Sequence, residues 1–138
     1  HKLTELLRQY DVEPFVRFLG HRDDIPALLA ASDLFVHPTR FEGLPFSVVE
    51  AMAAGTPVVS TRASSIPELI HHGETGLLCD LEDIYALRET VLYALNHLDK
   101  IREMASHARD RAALYSAEAM TAKTLDLLVR TIGKPHEK

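Results

Sequence analysis

Short apolar segments alternate with helical patterns over the first 80 residues, and this alternation constrains the fold more than any other feature of the chain. The apolar segments lie at residues 15–20 (FVRFLG), 33–38 (DLFVHP), 57–60 (PVVS) and 76–80 (GLLCD). Between them, DIPALLAA, FSVVEAMAA and SIPELI have the spacing of short helices. Strands that alternate with helices are joined by right-handed crossovers. The sequence therefore predicts an α/β fold, a parallel sheet with helices on both faces.

Beyond Asp80 the pattern changes to helices alone. Two apolar stripes follow in turn, Ile84, Leu87, Val91, Leu95 and Leu98 and then Ile101, Met104, Ala105, Ala108 and Ala112. Asp80 and Asp83 provide a capping signal at the start of the first of these helices. We therefore divide the chain into an α/β part, residues 1–80, and a helical part, residues 81–138.

A third helix is predicted in the helical part. It starts near Ser116 and stops at Gly133, before a proline. Its periodicity indicates that it buries Met120, Leu125 and Leu128.

The composition argues against several classes of function. The chain has 15 basic and 20 acidic residues and no run of like charge. It therefore lacks the positive charge pattern expected for binding duplex nucleic acid or an anionic membrane. Its single cysteine, Cys79, excludes an intrachain disulfide framework and fits a reducing compartment. No apolar segment approaches the length of a membrane span. We expect a cytoplasmic protein, which in full length could lie peripheral to a membrane.

The stretch RFEGLPFSVVEAMAAGTPVVS contains two glutamates, Glu42 and Glu50, at the edge of the sheet where parallel-sheet proteins bind ligands. A helix starting around Phe46 or Ser47 would direct free N–H groups near Ser47, Val48 and Val49 towards an anion such as a diphosphate. Carboxylates accept hydrogen bonds from neighbouring sugar hydroxyls. The arrangement suits a nucleotide sugar.

Simpler interpretations of the same residues stay open. Ser47 and Glu50 have the spacing of a capping box, in which Glu50 only receives the N–H of Ser47. Glu42 could be a solvated loop carboxylate. The small residues of EAMAAG are expected to make a close contact between helix and sheet, whichever interpretation of the glutamates holds.

The segments HPTRFEGLPFSVVEAMAAGTPVVST and IPELIHHGETGLLCD resemble the donor-binding, C-terminal domain of GT-B fold retaining glycosyltransferases, family 4 or "group 1" type. The resemblance is specific over residues 15–80. It implies a Rossmann-like sheet and transfer of a sugar from a nucleotide donor to an acceptor hydroxyl. It implies no metal and no cofactor besides the donor substrate.

The resemblance also assigns roles to residues of this chain. By analogy, Glu42 is the catalytic-site residue that holds the transferred sugar, and Glu50 binds the nucleotide ribose. By the same analogy, the donor-binding residues near the sugar and the phosphates are Gly43, Leu44, Ser47 and Val48. The turn at Gly20 and His21 would border the base, and Gly73 and Gly76 resemble turn glycines.

The chain departs from the family pattern at its start. The first two strand–helix units, which carry the Arg and Lys that neutralise the diphosphate, have no counterpart here, nor does the N-terminal acceptor domain. Arg22, Arg40 or Arg62 could replace these cations only in part. We expect the chain alone to be inactive. We expect residues 15–20 to pair directly with residues 33–38, or another chain to complete the sheet. If the chain self-associates, the exposed sheet edge or the helices are the expected contact surfaces.

Two other functions remain as alternatives. One is a non-catalytic module that binds a nucleotide or nucleotide sugar, or that self-associates. The other is a glycosidase with Glu42 and Glu50 flanking one bond, which the absence of tryptophan disfavours. Metal binding by Asp80 and Glu82, or by His71 and His72, is disfavoured by the capping role and by the lack of spaced partners.

Overall fold

The structure, a computed structural model, describes residues 2–132. Its helices are α1 (Lys2–Gln9), α2 (Ile25–Ala30), α3 (Phe46–Ala54), α4 (Ile66–Leu69), α5 (Ile84–Asn96), α6 (Leu98–Ala112) and α7 (Ala117–Ile132). Its strands are β1 (Phe35–His37), β2 (Val58–Thr61) and β3 (Leu77–Cys79). Short 3-10 turns lie at Glu13–Phe15 and Ala113–Tyr115.

The strands form a parallel sheet in the order β1-β2-β3, and this confirms the α/β prediction. Val36 lies opposite Val59, and Val59 lies opposite Leu77. Helix α3 connects β1 to β2, and α4 connects β2 to β3. The carboxyl ends of all these strands therefore face the same edge of the sheet.

The two faces of the sheet belong to two separate apolar clusters. Val58 and Leu78 lie in a cluster with α3 and α4, whereas Val59 and Leu77 lie in a cluster with α5. Neighbouring residues of a strand point to opposite faces, so adjacent apolar residues of a short strand can serve both clusters. Strands β2 and β3 are buried along their whole length. The polar end of β2 is buried with its hydroxyls paired, because Ser60 and Thr61 donate to the carbonyls of His37 and Thr39.

Helix α6 contributes to both clusters. Ile101 lies in the α5 cluster, and Ala108 and Ala112 lie in the α3 cluster. This confirms the second predicted stripe, in which Met104 is half-buried. The first stripe is correct at Leu87, Val91 and Leu98, which pack on the α5 cluster. It is wrong at Ile84 and Leu95, which are 68% and 46% exposed.

The predicted strand at residues 15–20 is wrong. Val16 has an extended backbone, but no residue of this segment pairs with β1. Phe15 and Phe18 are 85% and 63% exposed. An extended segment becomes a strand only when a neighbouring backbone satisfies its N–H and C=O groups, and within residues 2–132 only β2 pairs with β1. Completion of the sheet by another chain stays a prediction, as does self-association.

The predicted burial on the last helix is also wrong. Helix α7 forms near the expected start, but Met120, Leu125 and Leu128 are 45%, 57% and 49% exposed. Periodicity shows which side of a helix is apolar, not whether another element covers that side. The predicted stop at Gly133 lies outside the described residues. No helix between residues 2 and 132 has the length and apolarity that a membrane crossing requires.

Gly76 makes a close backbone contact that a larger residue would disrupt. A Cβ atom at this position would lie 2.9 Å from the carbonyl oxygen of Val58 and 3.0 Å from Cγ2 of Ile70. Its role is therefore packing, whereas Gly73, with φ of +82°, is a turn glycine as predicted.

We expect Gly76→Ala to lower the free energy of unfolding by about 1–3 kcal/mol, because the buried backbone must shift to admit the methyl group. Urea unfolding followed by circular dichroism measures this. Gly43→Ala is the control, since its Cβ would have nothing within 4 Å. Equal stability of the two variants would contradict the packing role of Gly76.

Candidate functional site

The candidate site lies where β1 leads into α3, at the carboxyl edge of the sheet. Strand β1 ends at His37, α3 begins at Phe46, and residues 38–45 form the loop between them. We call this segment the β1–α3 loop. It contains Glu42 and Gly43, and Glu50 follows on α3, so sequence and structure agree on the elements that carry these residues.

Hydroxyl groups from the neighbouring strand and helix hold the β1–α3 loop in place. Thr61 Oγ1 accepts the N–H of Thr39 at 3.0 Å and also donates to the Thr39 carbonyl. The Ser65 hydroxyl donates to the carbonyl of Gly43. Sequence reasoning missed these residues, although the polar run STRASS directly after the apolar part of β2 was a usable signal.

Glu42 is a partly buried carboxylate with neighbours on β1 and on its own loop. Its Oε1 atom accepts a hydrogen bond from Thr39 Oγ1 at 3.3 Å and lies 3.3 Å from His37 Nε2. Its side chain is 33% exposed, and that of His37 is 19% exposed. Glu42 is therefore a partly buried loop carboxylate with a hydrogen-bond partner, which counts against the interpretation of a simple solvated one. Part of the carboxylate still faces solvent and can accept further hydrogen bonds.

The capping-box interpretation of Glu50 is wrong. The N-cap of α3 is Pro45, and no side chain caps the helix. Helix α3 starts one residue before Ser47, so Ser47 cannot act as its cap. Glu50 is exposed, and within residues 2–132 its carboxylate has neither a hydrogen bond nor an ion pair. The carboxylate is thus available to a ligand.

The set of free amides at the start of α3 is smaller than predicted. The N–H groups of Val48 and Val49 both point back to the carbonyl of Pro45, at 3.0 and 3.3 Å. The Val48 side chain is fully buried, so Val48 belongs to the core. No backbone acceptor in the described part of the chain receives the N–H of Ser47. Ser47 is therefore the amide of this group that can meet an anion.

Gly43 has no structural reason to be glycine. Its φ is not in the left-handed region, and a Cβ atom there would meet nothing within 4 Å. Leu44 beside it is 37% exposed. A glycine that the fold does not require, at the open edge of a sheet, fits the predicted close approach of a ligand.

The turn at Gly20 and His21 remains separate from these contacts. Gly20 has φ of +65°, and the exposed His21 lies 3.6 Å from Asp23. No hydrogen bond or ion pair of residues 2–132 joins either residue to the β1–α3 loop. Their proposed place beside the base stays a prediction.

The three arginines that could offset a diphosphate charge each lie near a carboxylate. Arg22 donates from Nε to Asp24 at 2.7 Å, and this hydrogen bond holds the pKa of the Asp24 carboxyl below its usual value. Arg40 lies 3.8 Å from Glu82. Arg62 lies at 3.9 Å from Asp80. These partners reduce the positive potential that the arginines offer to a ligand.

The remaining candidate groups have structural roles. Asp83 caps α5, since its Oδ1 accepts the N–H of Ala86 at 2.8 Å. His72 Nδ1 accepts the N–H of Leu78 at 2.9 Å. Burial raises the pKa of the Cys79 thiol, which makes it a poor nucleophile. Among residues 2–132 no cluster of three potential metal ligands occurs. The independence from cofactors stays a prediction.

A cavity of about 290 Å³ lies beside the candidate site. Pro38, Thr39 and Arg40 of the β1–α3 loop form one wall, and Glu82 and Ile84 form the opposite wall. Neither Glu42 nor Glu50 lines it. The two carboxylates therefore lie outside this cavity, Glu42 partly buried and Glu50 exposed on α3.

Comparison with known proteins gives consistent matches. The family model for glycosyl transferases group 1 matches residues 1–97. The N-acetyl-alpha-D-glucosaminyl L-malate synthase of Bacillus anthracis is 35% identical over 78% of this chain and 28% of its own length.

Solved structures match over most of the chain. Sucrose-phosphate synthase from Thermosynechococcus elongatus aligns with a TM-score of 0.88 and 26% identity, over 95% of this chain and 34% of the synthase. Anabaena HepE in complex with UDP-glucose aligns with a TM-score of 0.82 and 32% identity, over 91% of this chain and 36% of HepE. The chain thus spans about a third of the length of these proteins.

Proposed function

We propose a donor-binding function for this chain, which belongs to the group 1 glycosyltransferase family. The proposed ligand is a nucleotide-diphosphate sugar, bound at the β1–α3 loop and the start of α3. The observation that carries the proposal is that both glutamates have carboxylate oxygens open to a ligand. Glu42 is held by Thr39 with part of its carboxylate exposed, and Glu50 stands exposed on α3 without a partner in the described chain.

Each group of the site has a role that its chemistry supports. Glu42 accepts hydrogen bonds from hydroxyls of the transferred sugar, and Glu50 accepts them from the ribose. The open backbone at Gly43 and Leu44 lets the donor approach closely. The N–H of Ser47 and the dipole of α3 favour the negative diphosphate between the two sugars.

Uridine nucleotides are the first donors to test. Anabaena HepE, 32% identical over the aligned part, has been crystallised with UDP and with UDP-glucose. Within this chain, Gly20 and His21 are the residues proposed to border the base. We place the acceptor, a glycan, lipid or small molecule, on a further domain of the whole protein.

The proposed reaction of the whole protein is sugar transfer with retention at the anomeric carbon. The bond between that carbon and the diphosphate oxygen breaks, and the nucleotide diphosphate leaves. The acceptor oxygen forms the new bond on the same face, and its proton passes to the departing diphosphate. This chain contributes binding and orientation of the donor. A helix N-terminus stabilises a nearby anion by about 0.3–1 kcal/mol, far less than a transferase needs. The chain alone is therefore expected to bind without turnover.

Calorimetric titration of the chain with UDP-glucose, UDP, GDP and ADP tests the proposal. We expect binding of at least one nucleotide and tighter binding of its sugar conjugate. Gly43→Val should weaken binding by about 1–2 kcal/mol, because added side-chain atoms block the approach of the ligand. Circular dichroism checks that the variant folds; a Cβ at this position meets nothing within 4 Å. Absence of binding for every nucleotide would refute the donor-binding function.

A further inference from the structure

We propose that His37 is a positioning residue, which orients the Glu42 carboxylate for the donor sugar. The inference rests on the proposed function and adds a residue to its site. His37 is the last residue of β1, and Glu42 lies in the loop that follows. Its Nε2 atom lies 3.3 Å from Oε1 of Glu42.

The ring nitrogen of His37 is buried and lacks a hydrogen bond. Nε2 is shielded from solvent, and among residues 2–132 it has no partner with hydrogen-bonding geometry. The Glu42 oxygen is close enough, but the two groups are misaligned. Leaving a buried polar group unpaired is unfavourable, so such a group in a folded protein needs an explanation. A rotation of the carboxylate would complete the bond.

The two partners differ in how firmly they are held. The His37 ring stacks on Phe35 with centroids 5.8 Å apart and an interplanar angle of 16°. The His37 carbonyl accepts a hydrogen bond from Ser60 Oγ at 2.8 Å. Glu42 lies on a loop, and a single hydrogen bond from Thr39 holds its side chain. The carbonyl bond holds the backbone of His37 and the stacking restrains its ring, so the ring is the more restrained partner and the carboxylate is the one that turns.

Donor binding favours the rotation of the Glu42 carboxylate towards His37. With the proton on Nε2, His37 donates to Oε1. Thr39 Oγ1 lies 3.3 Å from both Oε1 and the Phe41 carbonyl, and it donates to Oε1 when its proton is directed there. Oε2 is then left to accept from a sugar hydroxyl. A carboxylate held by two protein donors is already oriented when the sugar arrives, so less ordering is required on binding.

This arrangement predicts that His37 affects only the sugar part of the donor. The nucleotide contacts assigned to Glu50 and Ser47 lie on α3 and do not involve the imidazole. Replacing His37 should therefore weaken the binding of UDP-glucose and leave the binding of UDP unchanged. A residue with a purely structural role would change both affinities together.

The experiment compares the dissociation constants of UDP and UDP-glucose for the wild type and three variants. We expect His37→Ala to weaken UDP-glucose about fivefold relative to UDP, the scale of one hydrogen bond. His37→Gln, which keeps an N–H donor, should recover part of the loss. His71→Ala is the matched control, because His71 also lies near a glutamate, 3.5 Å from Glu74, but outside the site.

The outcomes separate this inference from the proposed function. A loss confined to UDP-glucose, with partial recovery in His37→Gln, supports the positioning role. Unchanged affinities for both UDP and UDP-glucose in His37→Ala overturn the role of His37 and leave donor binding intact. Equal weakening of both ligands overturns it in favour of a structural role. No binding of either ligand to the wild type refutes the proposed function and this inference with it.

Discussion

Replacing Glu50 by alanine is expected to weaken the binding of UDP by about 10- to 100-fold. A hydrogen bond to a charged group contributes about 1.5–3 kcal/mol, and Glu50 is the carboxylate assigned to both ribose hydroxyls. Glu50 is exposed and has no polar partner in the described chain, so the substitution removes no hydrogen bond or ion pair within the protein. Isothermal titration with UDP measures the effect.

The matched control for this variant is Glu103→Ala. Glu103 is also an exposed helical carboxylate, but it lies on α6 beside Lys100 and His107. We expect the control to bind UDP as the wild type does. If the two variants had the same affinity for UDP, Glu50 would not be a ribose ligand, and the similarity to the family would lack its expected site.

Replacing Met52 by alanine is expected to lower the free energy of unfolding by about 2–5 kcal/mol. Met52 lies on α3, is fully buried, and belongs to the cluster that joins α3, α4 and α6 to the sheet. Truncating a buried methionine loses apolar burial and leaves a cavity. Because α3 also carries Ser47 and Glu50, this packing fixes the helix on which the proposed nucleotide contacts depend. Urea unfolding gives the change directly.

Met120→Ala provides the same substitution on an exposed position. Met120 lies on α7 and is 45% exposed, so its replacement should change stability by no more than about 0.5 kcal/mol. Similar losses for both variants would show that α7 is covered in solution. That result would favour the burial that periodicity predicted for α7 and would contradict the exposed helix of the structure.

The sequence predicted those elements whose partners lie within the described chain. Strands β2 and β3 are short, start with apolar residues and are flanked by helices, and each pairs with a neighbouring strand. Residues 15–20 have a similar composition but no paired backbone, and α7 has an apolar side without a cover. Composition and periodicity indicate which secondary structure a segment prefers. Strand formation also requires a second backbone to pair with, and burial requires another element that covers the apolar side.

The candidate site was predictable in outline because its residues are contiguous. The sequence places Glu42, Gly43 and Glu50 on one loop and the following helix, and the structure has them there. The supporting contacts were not predictable, because they join distant segments. Ser65 reaches the carbonyl of Gly43 over 22 residues. The proximity of His37 to Glu42 depends on the bend of the loop, which residue spacing does not reveal.

The proposed binding site for a nucleotide sugar consists of the β1–α3 loop and the start of α3. Backbone amide NMR spectra recorded during titration with UDP-glucose test this site residue by residue. We expect the largest chemical-shift changes at Gly43, Leu44, Ser47 and Glu50. Changes confined to the separate cavity of about 600 Å³ at Gly73, Lys100 and His107, or no changes at all, would contradict it.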